Sequence, residues 1–176
     1  MSFLYHRVPP RVEGTTLYPL NRLKDIYPEA YEQGARKYQG RRALQRERIP
    51  ILGNCLWNDV LFLMAVHPEE FRKAWESLLP PLRPRRFYQI DSATLDHNKL
   101  AVLTRMGVNE PRGYEPFSES RIHAYNFIPE ETFAYWEEEK AAGESPFLFM
   151  HIPHILYRGA IDVSKAPIIE LEPREQ

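Results

Sequence analysis

The apolar positions of this chain fall into short runs cut by prolines, and the spacing inside each run predicts its element. Phe3 to Val8 (FLYHRV) is aromatic and β-branched and is stopped by Pro9-Pro10, which predicts a first strand with His6 and Arg7 at its end. After the Gly14-Thr15-Thr16 turn, Leu20, Leu23 and Ile26 keep helical spacing up to Pro28. Pro28 suits a first-turn position with Glu29 beside it, so a second helix runs through YEQGARKY. Gly34 and Gly40 each weaken it by up to about 1 kcal/mol relative to alanine.

The most apolar run is Ile51 to Val66, ILGNCLWNDVLFLMAV, and it encloses Asn54, Cys55, Asn58 and Asp59 around Trp57. Burying amides and a carboxylate costs several kcal/mol unless each is hydrogen-bonded, so this polar knot is either a satisfied network or the wet lining of a pocket. VLFLMAV at its end lacks a 3.6-residue period and reads as a buried strand. His67-Pro68-Glu69-Glu70 opens a helix whose core face is Phe71, Trp75 and Leu78, and Pro80-Pro81 stop it.

Phe87 to Ile90 and Leu100 to Thr104 predict two strands that pair with each other across a turn rich in Asp, Ser and Asn. Residues 106 to 121 lack periodicity and hold two glycines and two prolines, which marks a surface loop of the length used for lids and binding. Pro129 with Glu130 and Glu131 opens a helix, EETFAYWEEEKAA, closed by Gly143. Phe147 to Ile152 (FLFMHI) reads as a buried strand, ILYRGAIDV as another strand or a hairpin around Gly159, and Ile168 to Leu171 as a last short strand. Runs of strands and helices without regular βαβ spacing predict one α+β domain over residues 1–172, with a mixed or mainly antiparallel, split sheet flanked by helices and a frayed tail at 173–176.

Composition narrows the function classes. With 23 Lys and Arg against 24 Asp and Glu the formal charge is −1, so nothing global attracts nucleic acid or an anionic membrane. The one strongly one-signed stretch is Arg36 to Arg48, with Arg36, Lys37, Arg41, Arg42, Arg46 and Arg48 against Glu47. It is either a solvated face or a phosphate-binding edge for nucleic acid or a nucleotide, on which Tyr38 could stack. The longest apolar run, Val60 to Val66, is far short of the roughly 20 residues of a membrane span. With no h-region near Met1 and one cysteine, the expectation is an unprocessed cytoplasmic protein without disulfides, while the oligomeric state leaves no trace.

Two kinds of chemistry follow from residue types alone. The six histidines lack i, i+4 pairing, and His151 and His154, the nearest pair, are separated by Pro153, so no metal site is expected. Cys55 as the nucleophile of a cysteine hydrolase would need His6, His151 or His154 as base and Asn54, Asn58 or Asp59 to orient it. Packing as a small core residue is the alternative.

The order of elements, with Leu4-Tyr5-His6-Arg7 ending the first strand and FLFMHIP…ILYRGAIDV at the end, resembles the split sheet of ADP-ribosyltransferases, nearest to DarT-type toxins and tRNA 2′-phosphotransferases. The resemblance implies an NAD-binding transferase acting on nucleic acid or protein. It implies that His6 grips the NAD ribose, that Tyr18 stacks on nicotinamide, and that Glu144 or Glu131 supplies the late acid that stabilises the reacting ribose. Arg7 or Arg41 would neutralise pyrophosphate, and Asn58 and Asp59 would line the same cleft as His6. Only the Tyr-His pair is a local match, and Ser145-Pro146 separate Glu144 from the strand where the family's acid lies. YPLNRLKDIYPEAY, KYQGR and PHILYRG are also similar to uncharacterised bacterial proteins, which suggests that their polar residues gather in one place. The competing class is a non-enzymatic nucleic-acid- or protein-binding module built on Arg36–Arg48.

Overall fold

The computed structural model describes residues 2–10, 14–105 and 111–172, so the 173–176 tail lies outside the described residues. In chain order the strands are β1 (Phe3–Arg7), β2 (Thr16–Leu17), β3 (Arg48–Ile49), β4 (Cys55–Leu56), β5 (Val60–Leu63), β6 (Arg85–Asp91), β7 (Leu100–Arg105), β8 (Gly113–Pro116), β9 (His154–Arg158), β10 (Ile161–Asp162) and β11 (Ile168–Leu171). The helices are α1 (Leu20–Ile26), α2 (Pro28–Ala35), α3 (Arg42–Gln45), α4 (Pro68–Glu76) and α5 (Glu130–Ala141). Local signals account for the helix starts: Pro28 and Pro68 occupy first-turn positions, and the His67 side chain accepts the Glu69 N–H at 3.2 Å. Past α5, Gly143 takes a left-handed backbone with φ 74°.

Two antiparallel sheets form the frame, one ordered β1-β6-β11 and the other β5-β9-β7-β8. They meet at one bridge, where Tyr5 N donates to Met64 O at 2.8 Å and Met64 N donates to Tyr5 O at 3.0 Å. This is an α+β fold with a split, antiparallel sheet. The pleat sorts side chains onto two faces. Leu4 and Ile90 of the first sheet pack with Leu61, Leu63, Val102 and Ile155 of the second in one cluster, so the hydrophobic core crosses the join. On the other face Tyr5, Met64, Phe87 and Leu171 form a second cluster, and Val60, Ala101, Leu103 and Leu156 pack with Tyr38 and Trp57 in a third.

Three expectations are corrected. Strands β6 and β7 do not pair: β6 lies between β1 and β11, while β7 lies between β8 and β9. Residues 113–116 of the expected loop form β8, whose register against β7 shifts between Leu103 and Arg105. Residues 106–110 of that loop lie outside the described residues.

The third correction is Phe147 to Ile152, which forms turns, and its backbone explains why. Its polar groups are taken by side chains of α5: Trp136 Nε1 donates to Phe147 O at 3.2 Å, Thr132 Oγ1 donates to Met150 O at 2.9 Å, and Phe147 N donates to Tyr135 Oη at 3.1 Å. A segment whose carbonyls and amides are satisfied in this way needs no strand partner. The ILYRGAIDV stretch likewise makes two strands in different sheets, because β10 pairs with β2.

Trp136 anchors this corner. It is fully buried and its ring meets Phe71 at 5.9 Å, Trp75 at 5.2 Å and Phe133 at 5.6 Å between centroids. Trp136→Ala is expected to cost about 3–5 kcal/mol, the range for a large aromatic removed from a core, measured as a lowered urea midpoint with an unchanged slope.

Candidate functional site

A hollow of about 1030 Å³ opens at the end of β7 and β8. Its walls are Thr104 and Arg105 of β7, Glu115 of β8, Arg121, Ala124 and Tyr125 of the following helical turn, Phe127 and Pro129, the first turn of α5 with Glu130 and Glu131, and His151 with Pro153. The register shift between Leu103 and Arg105 falls in this wall, and such irregularities re-aim side chains. Arg121 pairs with Glu115 at 3.3 Å, and the Tyr125 hydroxyl also donates to Glu115. His151 has a positive φ of 63°, rare outside glycine, and its ring lies edge-on to Tyr135 at 6.0 Å. The cleft therefore combines a carboxylate pair at a helix start, two guanidiniums, a histidine and two aromatic rings, of which Phe127 is 52% exposed.

Glu131 is the one sequence-assigned acid in this hollow. Glu144 follows α5 at its other end, about 18 Å away along a twelve-residue helix, with its N–H donating to Glu139 O at 2.9 Å. The two acids are not interchangeable. His6 is not among the residues that line the hollow either, since β5 and β9 stand between β1 and β7.

His6 lies one residue past the Tyr5–Met64 bridge, opposite Tyr88, with its Nδ1 2.7 Å from Arg7 O. Part of the residue reaches solvent, yet packing around the ring desolvates it strongly. That pushes it down to about 4 against the pull of the carbonyl bond, and the charge of Lys37 lowers it further. At neutral pH the ring is thus uncharged, and a proton on Nδ1 for Arg7 O leaves Nε2 as an acceptor. Arg7 pairs with Phe87 and turns to the opposite face, so the pleat separates the two adjacent residues assigned to one ligand. Tyr18 is half-buried between β2 and α1.

The polar knot is largely satisfied. Asp59 Oδ1 accepts Asn21 Nδ2 at 2.7 Å and Oδ2 accepts the Leu56 N–H at 2.8 Å, while Asn54 is exposed and left-handed at φ 57°. Asn58 is buried at 3% exposure. Segment 36–38 links this knot to the first sheet: Lys37 acts on His6, and Tyr38, pushed up to about 12 by burial, accepts a hydrogen bond from Trp57. Some of the expected residues thus gather around Trp57, but as packed structure.

Half of the basic run is committed internally. Lys37 lies over the Tyr38 ring at 5.1 Å, Arg41 over Phe147 at 4.7 Å, and Arg48 donates to Asn54 O at 2.9 Å. Glu47, its single acid, pairs with Arg112 at 3.0 Å, whose guanidinium lies 5.2 Å over Trp57. Cys55 is buried at 6% exposure, and burial pushes its thiol up. The charges acting on it are Arg158, which lowers it, and Asp59, which raises it. A nucleophilic thiol needs the opposite environment. Among the described residues no group of three or more His, Cys, Asp or Glu could hold a metal ion, and no helix is long and apolar enough to cross a membrane.

His154, at 7% exposure, bonds Ile152 O through Nδ1 at 2.8 Å and is pushed down to about 4 by burial. A histidine lowered in the folded state binds its proton later than in the unfolded chain. The native state is therefore favoured above about pH 6.5 and loses stability as pH falls towards about 4. For His154 the full drop from 6.5 to about 4 corresponds to about 3 kcal/mol. His154→Phe should flatten the stability profile in that window, as read by urea unfolding at a series of pH values. Cys55 should react with iodoacetamide at neutral pH only after denaturation, followed as mass gain over time. Compared with protein-family models, curated proteins and solved structures, the chain matches none.

Proposed function

We propose that this chain binds an NAD-type dinucleotide in the cleft at the start of α5 and acts as an ADP-ribosyltransferase-like enzyme with Glu131 as its acid. The observation that carries the reading is the meeting of Glu131, Arg105, Arg121, Tyr125 and Phe127 around one hollow of about 1030 Å³. That size suits a dinucleotide, since small-molecule sites span about 300–1,000 Å³. Arg105 is the guanidinium for a pyrophosphate, since Arg121 is already paired with Glu115, and Phe127 offers a face on which a base or nicotinamide stacks.

In the reaction the bond between ribose and nicotinamide breaks, and nicotinamide leaves with the bonding pair as a neutral ring. The Glu131 carboxylate stabilises the cationic ribose that remains. A nucleophile on nucleic acid or protein then bonds to that ribose carbon and gives up its proton to solvent. The split antiparallel sheet is the part of the resemblance that supports this reading, whereas Phe147 to Ile152, one of its expected strands, forms turns. This reading keeps Glu131 and removes Glu144 and His6 from the chemistry.

Incubation with NAD should release nicotinamide, detected by chromatography. Glu131→Gln should lower the rate by about a hundredfold or more, in the range for loss of one preorganised electrostatic group, with an unchanged melting temperature. His6→Ala should leave NAD affinity in place. Absence of both nicotinamide release and NAD binding at millimolar concentration would overturn the reading.

A further inference from the structure

The first sheet carries a concentration of arginines outside the cleft. Arg7 ends β1 opposite Phe87, and Arg85 begins β6 two residues earlier, so the two are diagonal neighbours on the face that holds Phe87 and Leu171. Arg83 precedes Arg85 by two residues, and the charges of Arg7 and Arg83 both act on Arg85. A fourth guanidinium, Arg72 of α4, reaches the end of β11, donating from Nη1 to Glu172 O at 3.1 Å beyond Leu171, which lies opposite Arg85.

Like charges are expensive to hold together, and here the expense is not offset from within. Among the described residues no carboxylate forms an ion pair with Arg7, Arg83 or Arg85, although Arg72 has Glu69 at 2.5 Å. The Nε atoms of Arg85 and Arg72 are buried without a hydrogen-bond partner. A buried N–H of a guanidinium left unbonded costs more than a neutral one, so a polar partner is missing at that point. The shape of the deficit is specific. Guanidiniums grouped on one sheet face without an ion-paired acid suit a tetrahedral oxyanion, whose oxygens accept bidentate bonds.

We propose that Arg7, Arg83 and Arg85 form an anion site that takes a phosphate group, distinct from the cleft and independent of its chemistry. The phosphate belongs either to a free nucleotide or to a nucleic-acid backbone. The pleat places the site on the face opposite His6, so a ligand held by these arginines does not touch the His6 ring.

The test is thermal unfolding of the full chain in pyrophosphate and in chloride at matched ionic strength. Pyrophosphate should raise the melting temperature of the native chain. Arg7→Ala/Arg83→Ala, two exposed positions, should abolish that rise without lowering the melting temperature in chloride, and should weaken pyrophosphate binding by about tenfold or more in calorimetry. Arg85→Met should be more stable than the native chain in chloride yet gain nothing from pyrophosphate, a pattern that a purely structural arginine would not give.

The control Arg42→Ala/Arg46→Ala removes the same charge from the basic run and should keep the full rise. The proposal is overturned if pyrophosphate gives no rise, if Arg7→Ala/Arg83→Ala keeps it, or if the control loses it equally. A labelled single-stranded oligonucleotide and adenosine monophosphate, titrated in parallel, separate the two sources. Tighter binding of the oligonucleotide that is lost in Arg7→Ala/Arg83→Ala identifies a backbone, and equal binding of both, lost in the same variant, identifies a nucleotide.

Discussion

Two hydrogen bonds, exchanged between Tyr5 and Met64 at 2.8 and 3.0 Å, are the only ladder contact between the two sheets among the described residues. Such a bond contributes only about 1 kcal/mol net, too little to unite two halves of a domain. What unites them is the apolar cluster that passes beneath, with Leu4 and Ile90 on one side of the join and Leu61, Leu63 and Ile155 on the other. The bridge therefore sets direction more than strength. It brings β1 alongside β5 for one residue pair and lets the strands part again, which leaves His6 and Arg7 on diverging edges. A small hollow of about 300 Å³, bounded by Phe3, Tyr5, Ala65 and His67, marks the parting on the other side.

The same economy of backbone bonding operates around α5. Thr132, Tyr135 and Trp136 reach across to satisfy the polar groups of Phe147 and Met150, so one helix face serves both as core and as a substitute for a neighbouring strand. Its first turn then opens into the large cleft with Glu130 and Glu131. Rigidity behind a site and exposure at its mouth are thus properties of a single element, which favours preorganised chemistry.

Much of this was legible in the chain because the signals are local. Proline at the first turn placed α2 and α4, Pro129 just ahead of Glu130 and Glu131 placed α5, and Gly143 marked where α5 stops. Strand partners were not legible, because nothing in the letters of β6 and β7 says that each pairs with a strand far away in the chain. Phe147 to Ile152 misled for a related reason, since an apolar run is written alike whether its amides face a strand or the side chains of α5. Of the cleft, Glu131 was named in advance, and Glu115 and Arg121 lay within a stretch read as a surface loop. Arg105, Tyr125, Phe127 and His151 converge on it only through the register of β7 against β8 and the positive φ at His151. The arginine cluster escaped notice because Arg83 and Arg85 fall between the helix stopped by Pro80-Pro81 and the strand expected from Phe87, and only their placement beside Arg7 gives them a common purpose.

Among the described residues strand β11 closes the first sheet with one flank unpaired, and Ile168 on it is 44% exposed. An open flank of this kind is a template on which a foreign strand can add. Here it is four residues long, is preceded by Pro167, whose carbonyl is already taken by Gln89 N at 2.8 Å, and carries Glu170 in its middle. Brevity, an imino acid and a negative charge together discourage edge-to-edge growth along that margin.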